Sequence, residues 1–531
     1  KGKTKNVIYT SYQPYMVKLA IELKNEYGWF PVYWLVNKEV ENLINRNFED
    51  VIIHDYIDSV KGVPPNGLKN LSLEYLDHDL LKFVSNNLYT SLAMMDRNDS
   101  NSNSFSFKER IEFFYHLVKY WKTIIINQEV DLVVFEEEPH QASDFILYNL
   151  CEFLNVETIL TVRTISDLGI LPMRKFEEGS RLIIDQYKKE LRYYDENILI
   201  KLPKNIEEYF INYETNYQKV VEDHLWDQKV GLKSLLNNMT LVERMVQLIK
   251  QLWSSFFKLK LIPSRIKTLL YNNIKSDQKE KRKSIYKSKQ NYIKLKYYKY
   301  KTMYQKNQNR INYARLVSRN LDLSQNYIFC ALQYQPEKST CPLGGLLNEQ
   351  YLMVEMLSKF LPKNWKIYVK EHPSQFVYNY TRYGEISRNK KYYEKLKHIK
   401  NVELVPLELN TISIIRSSKA VASVAGTLCW DSVVVGKPAL TFGYAWYKSC
   451  EGIFDIKGTL DLKNAIMKIE KGFEVDKNKV RLFAKVITDN KFFGVIGGRV
   501  QLDHKNLNDS KNSEYHFSAI KKMLKYEEQN I

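Results

Sequence analysis

The chain has few cysteines and no long apolar run. Its five cysteines are odd in number, scattered and never in CxxC spacing: Cys151, Cys330, Cys341, Cys429 and Cys450. This pattern argues against a disulfide framework or a zinc site, so we expect a reducing cytoplasm. No apolar run approaches the roughly 18–20 residues of a membrane-spanning helix. The opening KGKTK leads directly into a strand-like stretch, and we therefore expect no signal peptide there.

The remaining composition is that of a globular protein with one strongly basic segment. Hydrophobic residues make up 44% and charged residues 26% of 531 residues, which excludes a wholly disordered chain and predicts at least two domains. Residues 275–320 carry 15 Lys and Arg against two acidic residues, and so hold most of the net charge of +18. We expect this segment to meet an anionic partner: a membrane surface, nucleic acid or a polyanionic acceptor.

Two blocks of short apolar strands alternate with helices, which predicts an α/β fold with two parallel sheets. The predicted strands are residues 6–10, 30–36, 51–56, 131–135, 156–162, 327–332, 365–369, 402–405, 419–424 and 438–442. The predicted helices include residues 16–27, 107–126, 142–154, 346–361 and 428–435. We expect two Rossmann-like domains, residues 1–202 and 321–480, that face a cleft. A helical basic insertion, residues 203–320, is expected between them, and residues 481–531 are expected to form a helical tail.

Two interpretations of the insertion remain open. Apolar residues recur at three- and four-residue steps through 241–261, and the basic stretch with interleaved tyrosines follows. A peripheral membrane anchor would place these apolar residues in the interface and the basic residues against anionic lipids. A helical hairpin that packs on the domains with a solvated basic face fits the same pattern.

An acidic loop, Glu136-Glu137-Glu138, follows the predicted strand 131–135 and precedes Pro139 and His140. Three adjacent carboxylates repel one another, and partial burial would raise the pKa of at least one, which suits acid/base catalysis. A solvated acidic loop is the structural alternative. The position at the ligand-binding edge of a sheet favours function.

Gln333, Gln335 and Glu337 follow the first strand of the second block. The two amides are suited to hydrogen bonds with hydroxyls or a base edge, and the carboxylate would face the cleft. The alternative is an ordinary loop in which Glu337 caps the next helix.

Two further loops of the second block have phosphate-binding chemistry. Lys370 and His372 end one predicted strand, where a cation and an imidazole can hold a phosphate and assist its departure. Ser423, Gly426 and Thr427 stand between a strand and a helix start, where free backbone N–H groups attract an anion. The alternative for Thr427 is an ordinary helix N-cap.

The order of these loops resembles the bacterial capsule polysaccharide biosynthesis glycosyltransferases, notably the retaining β-Kdo transferases and related enzymes that use CMP-activated nonulosonic acids. The resemblance covers residues 6–186 and 327–457. It rests on Glu138-Pro139-His140, residues 333–345, Lys370 to Pro373, residues 423–442 and the segment 442–447. The central basic region lies outside it.

The resemblance implies a GT-B fold that binds the acceptor in the first domain and the CMP-sugar in the second. His372 would bind the CMP phosphate and ease its departure, with support from Lys370. The other implied donor contacts are Gln333, Gln335, Ser423, Gly426 and Thr427. It also implies an oligosaccharide or lipid-linked glycan acceptor and no metal or other cofactor. The implied location is the cytoplasm, either free or peripheral on the inner face of the cell membrane.

Retention of configuration requires a double displacement or a front-face attack, and double displacement needs two protein groups. The candidates are Glu138 and Glu337. We expect Glu337 nearest the anomeric carbon and Glu138 at the acceptor proton, although the reverse assignment stays open. The β-Kdo enzymes have an Asp nucleophile where this chain has Glu337. The candidate acceptor-binding residues are Gln13, His140 and Arg163.

Two other functions remain as alternatives: a GT-B enzyme that uses a UDP sugar, as transferase or epimerase, and a nucleic-acid-binding protein acting through the Tyr/Lys-rich segment. The basic residues are not concentrated around the four candidate loops, which disfavours a nucleic-acid-binding function. Asp77-His78-Asp79 has the Asp-x-Asp form of metal-dependent transferases. It lies in the helical-looking stretch 71–84, so we expect an exposed helical face there.

Overall fold

A first parallel sheet is formed by the N-terminal part of the chain. The computed structural model describes residues 4–68, 70–97, 106–165, 168–215, 292–376, 388–497 and 507–530. The strands of this sheet are β1 (Lys5–Thr10), β2 (Trp29–Val36), β3 (Ile52–Asp55), β4 (Leu132–Phe135), β5 (Glu157–Arg163) and β6 (Ile170–Met173). Their order is β3-β2-β1-β4-β5-β6, and only the pairing of β5 with β6 is antiparallel.

The helices up to the second sheet begin and end at local signals. They are α1 (Pro14–Tyr27), α2 (Lys38–Asn47), α3 (Tyr56–Val60), α4 (His78–Met95), α5 (Phe107–Asn127), α6 (Ala142–Phe153), α7 (Arg181–Leu191), α8 (Lys204–Thr215) and α9 (Tyr292–Leu316). The first of them ends at Gly28, whose φ of 70° is a left-handed conformation that glycine adopts without strain. A capping box between Ser106 and Glu109 begins α5.

The second sheet repeats the topology of the first. Its strands are β7 (Tyr327–Ala331), β8 (Lys366–Lys370), β9 (Val402–Leu404), β10 (Ala420–Ser423), β11 (Ala439–Thr441) and β12 (Ile453–Asp455), in the order β12-β11-β10-β7-β8-β9. The accompanying helices are α10 (Tyr351–Phe360), α11 (Tyr392–His398), α12 (Thr411–Ser417), α13 (Leu428–Val434), α14 (Thr459–Glu470), α15 (Lys477–Asp489) and α16 (Asp509–Asn530). All neighbouring strands in this sheet are parallel.

The predicted fold class is confirmed, because two Rossmann-like sheets form a GT-B-like pair. In each sheet the strand order reverses beside the first strand, between β1 and β4 and between β7 and β10. Loops at the carboxyl ends of these strands are where ligands bind in this topology. The predicted strands and helices of both blocks are present, whereas β6 and β12 were not predicted.

The ends of the central segment pack on the second domain. Tyr213 in α8 donates a hydrogen bond to Asp431 of α13, with 2.7 Å between the oxygens. Tyr313 in α9 is 1% exposed and donates to the Val405 carbonyl, and Lys306 is buried as well. Tyr313 and Lys306 are therefore not on the surface that the segment could present to an anionic partner, which stays a prediction for the segment. Residues 241–261 and 275–291 lie outside the described residues.

The last helix, α16, returns to the first domain. Ile520 and Met523 join the hydrophobic cluster formed by α1, α2 and strands of the first sheet. Arg174 Nη2, just after β6, lies 2.8 Å from Glu527 Oε2. The C-terminal end of the chain thus completes the core of the N-terminal domain. None of the helices in the described residues combines the length and the apolar character needed to cross a membrane.

Candidate active site

Two cations join the loops of the two domains across the cleft. Lys338, from the loop after β7, places Nζ 2.6 Å from Glu137 Oε2 and 2.9 Å from Glu138 Oε2, in the acidic loop after β4. Arg97, which follows α4, donates to the backbone carbonyl of His140 in the first domain and to that of Cys341 in the second. The acidic loop and the Gln-Pro-Glu loop therefore line one common space.

Glu136 is the member of the acidic loop whose pKa is raised. Burial raises it to about 7, against the hydrogen bonds that its carboxylate accepts from Ser11 Oγ at 2.6 Å and from Tyr15 Oη at 2.7 Å. The Gly497 backbone N–H is a third donor, at 3.1 Å. Because the Glu136 carboxylate accepts these three hydrogen bonds, it holds the acidic loop in place at the edge of the sheet.

Glu137 and Glu138 face the second domain. Glu138 is almost fully buried and Glu137 is 40% exposed, and both contact Lys338. Burial is the largest single influence and would raise the pKa of Glu137. The charge of Lys338, its hydrogen bond and the electrostatic effects of His140 and Arg163 together outweigh burial and hold that pKa below its ordinary value. The same two carboxylates raise the pKa of Lys338 despite its burial. Glu137 and Lys338 therefore remain ionised.

The three expected acceptor-binding residues lie around this loop. Burial, reinforced by the charge of Arg97, lowers the pKa of His140 to about 3, so its imidazole is neutral at pH 7. Arg163 is exposed at the end of β5, and its charge helps to lower the pKa of Glu137. Gln13 is mostly buried at the start of α1, and its backbone N–H donates to Ser11 Oγ at 3.1 Å.

Three of the residues predicted to bind the donor contact one another: Gln333, Ser423 and Gly426. Gln333 Nε2 donates to Ser423 Oγ at 2.8 Å, and Ser423 Oγ donates in turn to the Ala331 carbonyl at 3.1 Å. A Cβ atom at Gly426 would lie 2.0 Å from Gln333 Nε2, so only glycine admits this amide. The fully buried Ser423 therefore positions Gln333 and does not itself reach a ligand.

Gln335 is committed to the protein interior. Its side chain is 3% exposed, and Nε2 donates to the carbonyl and the side-chain oxygen of Asn348 at 2.7 and 2.8 Å. Its Oε1 accepts from Gln350 Nε2 at 3.0 Å and from Arg388. The expectation that Gln335 contacts the donor is corrected: its amide holds the loop together.

A buried ion pair that was not predicted supports the His-Pro loop. Arg388 Nε lies 2.6 Å from Glu371 Oε2, and both side chains have no exposed surface. Glu371 also accepts from Tyr393 Oη at 2.9 Å, and Arg388 donates to the Gln333 carbonyl at 3.1 Å. Arg388 thus ties the loop after β7 to the loop after β8. No spacing rule links an arginine to a glutamate 17 residues earlier in the chain.

His372 and Lys370 have different surroundings. His372 Nδ1 accepts the Ser374 backbone N–H at 3.3 Å, so the neutral ring carries its proton on Nε2. Lys370 Nζ donates to the Leu409 carbonyl at 2.6 Å and to Thr411 Oγ1 at 3.0 Å, and burial lowers its pKa to about 8. The expected support of a donor phosphate by Lys370 is corrected, because its ammonium is bonded to the loop after β9.

Thr427 and Glu337 are both exposed. Thr427 precedes α13 but makes no side-chain capping bond, so the N-cap alternative does not hold. Glu337 does not cap a helix either, since α10 begins only at Tyr351. Its backbone carbonyl instead accepts from the N–H groups of Thr340 and Cys341, at 3.0 and 2.9 Å, which closes a tight turn around it.

The Asp-x-Asp sequence has a structural role. Asp77 caps α4, with its side chain accepting the Leu80 N–H at 2.8 Å, and it lies 3.5 Å from Lys122 Nζ. The described ranges contain no group of three His, Cys, Asp or Glu side chains placed to hold a metal ion.

Comparison with known families finds a match that includes the second domain. Residues 234–475 match the sequence profile of the family described as capsule polysaccharide biosynthesis protein. The match covers somewhat under half of the chain and includes every strand of the second sheet. It supports a glycosyltransferase of capsule polysaccharide synthesis, in agreement with the resemblance of the loops. The acidic loop of the first sheet lies outside the matched residues.

Solved structures show only distant similarity. Thermosulfurimonas dismutans KpsC, a beta Kdo 2,7 transferase, matches at 15% identity and a TM-score of 0.21, over 31% of this chain and 52% of that one. The chain thus spans about half the length of that relative.

Two other solved structures match over most of their length. UDP-GlcNAc 2-epimerase from Methanocaldococcus jannaschii matches at 9% identity and a TM-score of 0.24, over 92% of this chain and 100% of that one. A glycosyltransferase from Rickettsia africae ESF-5 matches at 12% and 0.24, over 96% and 99%. Values this low assign neither donor nor acceptor. No curated protein matches the chain.

Proposed function

We propose that this protein is a glycosyltransferase of capsule polysaccharide synthesis that transfers a 2-keto sugar acid, such as Kdo, from a CMP-linked donor to a glycan acceptor. The observation that carries the proposal is the contact of Lys338 with Glu137 and Glu138. It brings two carboxylates of the first Rossmann-like domain to the loop after β7 in the second, next to Glu337. The family match of residues 234–475 supports the same class.

The donor phosphate is assigned to His372 and Thr427. His372 keeps its proton on Nε2 because Nδ1 accepts the Ser374 N–H, and this N–H is a donor for a phosphate oxygen. The hydroxyl of Thr427 is exposed at the start of α13 and offers a second donor. Gln333, whose place is fixed by Ser423 and Gly426, is the third proposed donor contact.

The proposed reaction retains configuration through two displacements. In the first, the Glu337 carboxylate attacks the anomeric carbon while the bond from that carbon to the CMP phosphate oxygen breaks. In the second, the acceptor hydroxyl attacks the same carbon, the bond to Glu337 breaks, and Glu138 takes the hydroxyl proton. We assign these roles because Glu337 is exposed whereas Glu138 is buried as an ion pair. No metal is required by these steps.

Association with an anionic membrane surface is also proposed, through the basic central segment. The acceptors of capsule enzymes are often lipid-linked, so such a site would bring acceptor and enzyme together. The proposal predicts binding to anionic liposomes that weakens with salt. Deletion of residues 244–291, which leaves the helix α9 and its buried Tyr313 in place, should abolish that binding.

A donor panel tests the proposed activity. We expect steady-state CMP release, and a β-configured product by NMR, with CMP-Kdo or another CMP-linked keto sugar, and no turnover of UDP-GlcNAc. Stabilisation by CMP should exceed that by UMP or UDP in a thermal-shift assay. A preference for UDP would overturn the proposed donor.

Substitution of the proposed nucleophile tests the assignment of roles. Glu337→Gln should lower turnover by about 100-fold or more while CMP still binds, because the first displacement loses its attacking carboxylate. Glu355→Gln, an exposed position on α10, is the matched control and should keep wild-type turnover. Near-normal rates in Glu337→Gln would remove this residue from the mechanism.

A further inference from the structure

Lys338 comes from the second domain and contacts two carboxylates of the acidic loop in the first domain, those of Glu137 and Glu138. Its Nζ lies 2.6 Å from Glu137 Oε2 and 2.9 Å from Glu138 Oε2. The Lys338 side chain is 22% exposed and that of Glu138 is 5% exposed. A carboxylate buried to this extent is costly without a partner, whereas a pair with good geometry offsets much of the cost.

The loops that carry the pair are held together by a second link. Arg97 donates to the carbonyls of His140 and Cys341, which stand two and three residues from Glu138 and Lys338. The arginine therefore fixes the spacing of the two loops, while Lys338 supplies the charge. A neutral residue in place of Lys338 would leave the mostly buried Glu138 carboxylate without this counter-charge.

We propose that Lys338, which comes from the second domain, is a positioning residue that holds the Glu138 carboxylate of the first domain in place as a base. This inference rests on the proposed function, in which Glu138 accepts a proton from the acceptor. The base is then assembled from residues of both domains.

Other charged groups surround the pair and enter any pH dependence. The groups that face it from the neighbouring loops and strands are Glu136, Glu137, His140, Arg97, Arg163 and Glu337. His140 is neutral across the working range because burial lowers its pKa to about 3. Arg97 and Arg163 stay charged, so Glu138 and its lysine form the pair that a substitution at Lys338 disturbs.

The first test is the pH profile of steady-state CMP release for Lys338→Met and Lys338→Arg. We expect the acidic limb of Lys338→Met to move to higher pH and its rate at pH 7 to fall about tenfold or more, with unchanged CMP affinity. Lys338→Arg, which keeps the charge, should restore most of the rate. Lys448→Met is the matched control, since Lys448 also crosses to the first domain but contacts the Glu177 carbonyl. A wild-type profile in Lys338→Met overturns the inference.

The second test needs no activity and stands even if every sugar donor fails. The melting temperature of Lys338→Met should fall below that of the wild type by more at pH 8 than at pH 5, because the unpaired Glu138 can be protonated at the lower pH. In a Glu138→Gln background the same substitution should show little pH dependence. A deficit that is equal at both pH values in both backgrounds would contradict the inference, whereas a failure of all donors would contradict only the proposed function.

Discussion

At the scale of single residues, the proposed phosphate site depends on one imidazole. His372 is held by Pro373 and by the Ser374 N–H bond to Nδ1, which leaves Nε2–H as the proposed phosphate donor. A hydrogen bond to a charged group contributes roughly 1.5–3 kcal/mol. His372→Ala should therefore weaken CMP binding by about 10- to 100-fold, as measured by calorimetry, without lowering the melting temperature.

His398→Ala is the control for that measurement. His398 lies exposed at the end of α11 and contacts only the turn of its own helix, through the Glu394 carbonyl, among the contacts described. It should bind CMP as the wild type does. Equal CMP affinity in His372→Ala would remove the imidazole from the donor site.

The sequence predicts which loops carry polar residues, but it does not predict which side chains reach the cleft. Gln333 and Gln335 are two residues apart, yet one packs against Gly426 and the other is enclosed by Asn348 and Gln350. Alternation along an irregular loop has no fixed period that would separate them. Lys338 was overlooked for a similar reason, because its partners lie about 200 residues earlier in the chain.

At the scale of elements, the docking of α8 on α13 buries an acidic residue, Asp431, in the helix that follows Thr427. Burial raises the pKa of Asp431 from 3.8 to about 7, although Tyr213 donates to it. The folded protein therefore binds an extra proton between about pH 4 and 7, and this group contributes less stability as the pH rises through that window. Asp431→Asn stays neutral and can still accept from Tyr213.

We therefore expect the melting temperature of Asp431→Asn, relative to the wild type, to be higher at pH 8 than at pH 5 by a few degrees. Asp79→Asn, an exposed position in the first turn of α4, serves as the control and should show the same small difference at both pH values. A relative melting temperature of Asp431→Asn that falls with pH would contradict the assigned burial of charge.

Strands with continuous apolar runs were predictable, whereas two of the four edge strands, β6 and β12, were not. The strands β4 and β7 are buried at every position, which gives an unbroken apolar run. The strand β6 contains Pro172 and follows Gly169, two residues that indicate a loop. The strand β12 has only three residues, each partly exposed, so it shows no alternation of buried and exposed positions.

At the scale of the whole molecule, the C-terminal helix makes the first domain depend on the last residues of the chain. No local signal predicts this return, because α16 has an ordinary helical composition and its partners precede it by nearly 500 residues. Ile520 is 1% exposed in the cluster that contains Leu19 and Leu23 of α1. The N-terminal core is therefore complete only after the second domain has been made.

Ile520→Ala should test this dependence through the distribution of its effect. Removing three buried carbons costs about 2–5 kcal/mol where the core cannot collapse. Because the lost contacts belong to the first domain, hydrogen exchange should become faster in peptides from β1 and α1 and stay unchanged in peptides from β7 and β8. Lys525→Ala, an exposed position on the same helix, should leave both sets unchanged. Equal loss of protection in the two domains would mean that they unfold as one unit, and no loss in β1 and α1 would show that α16 is not part of the N-terminal core.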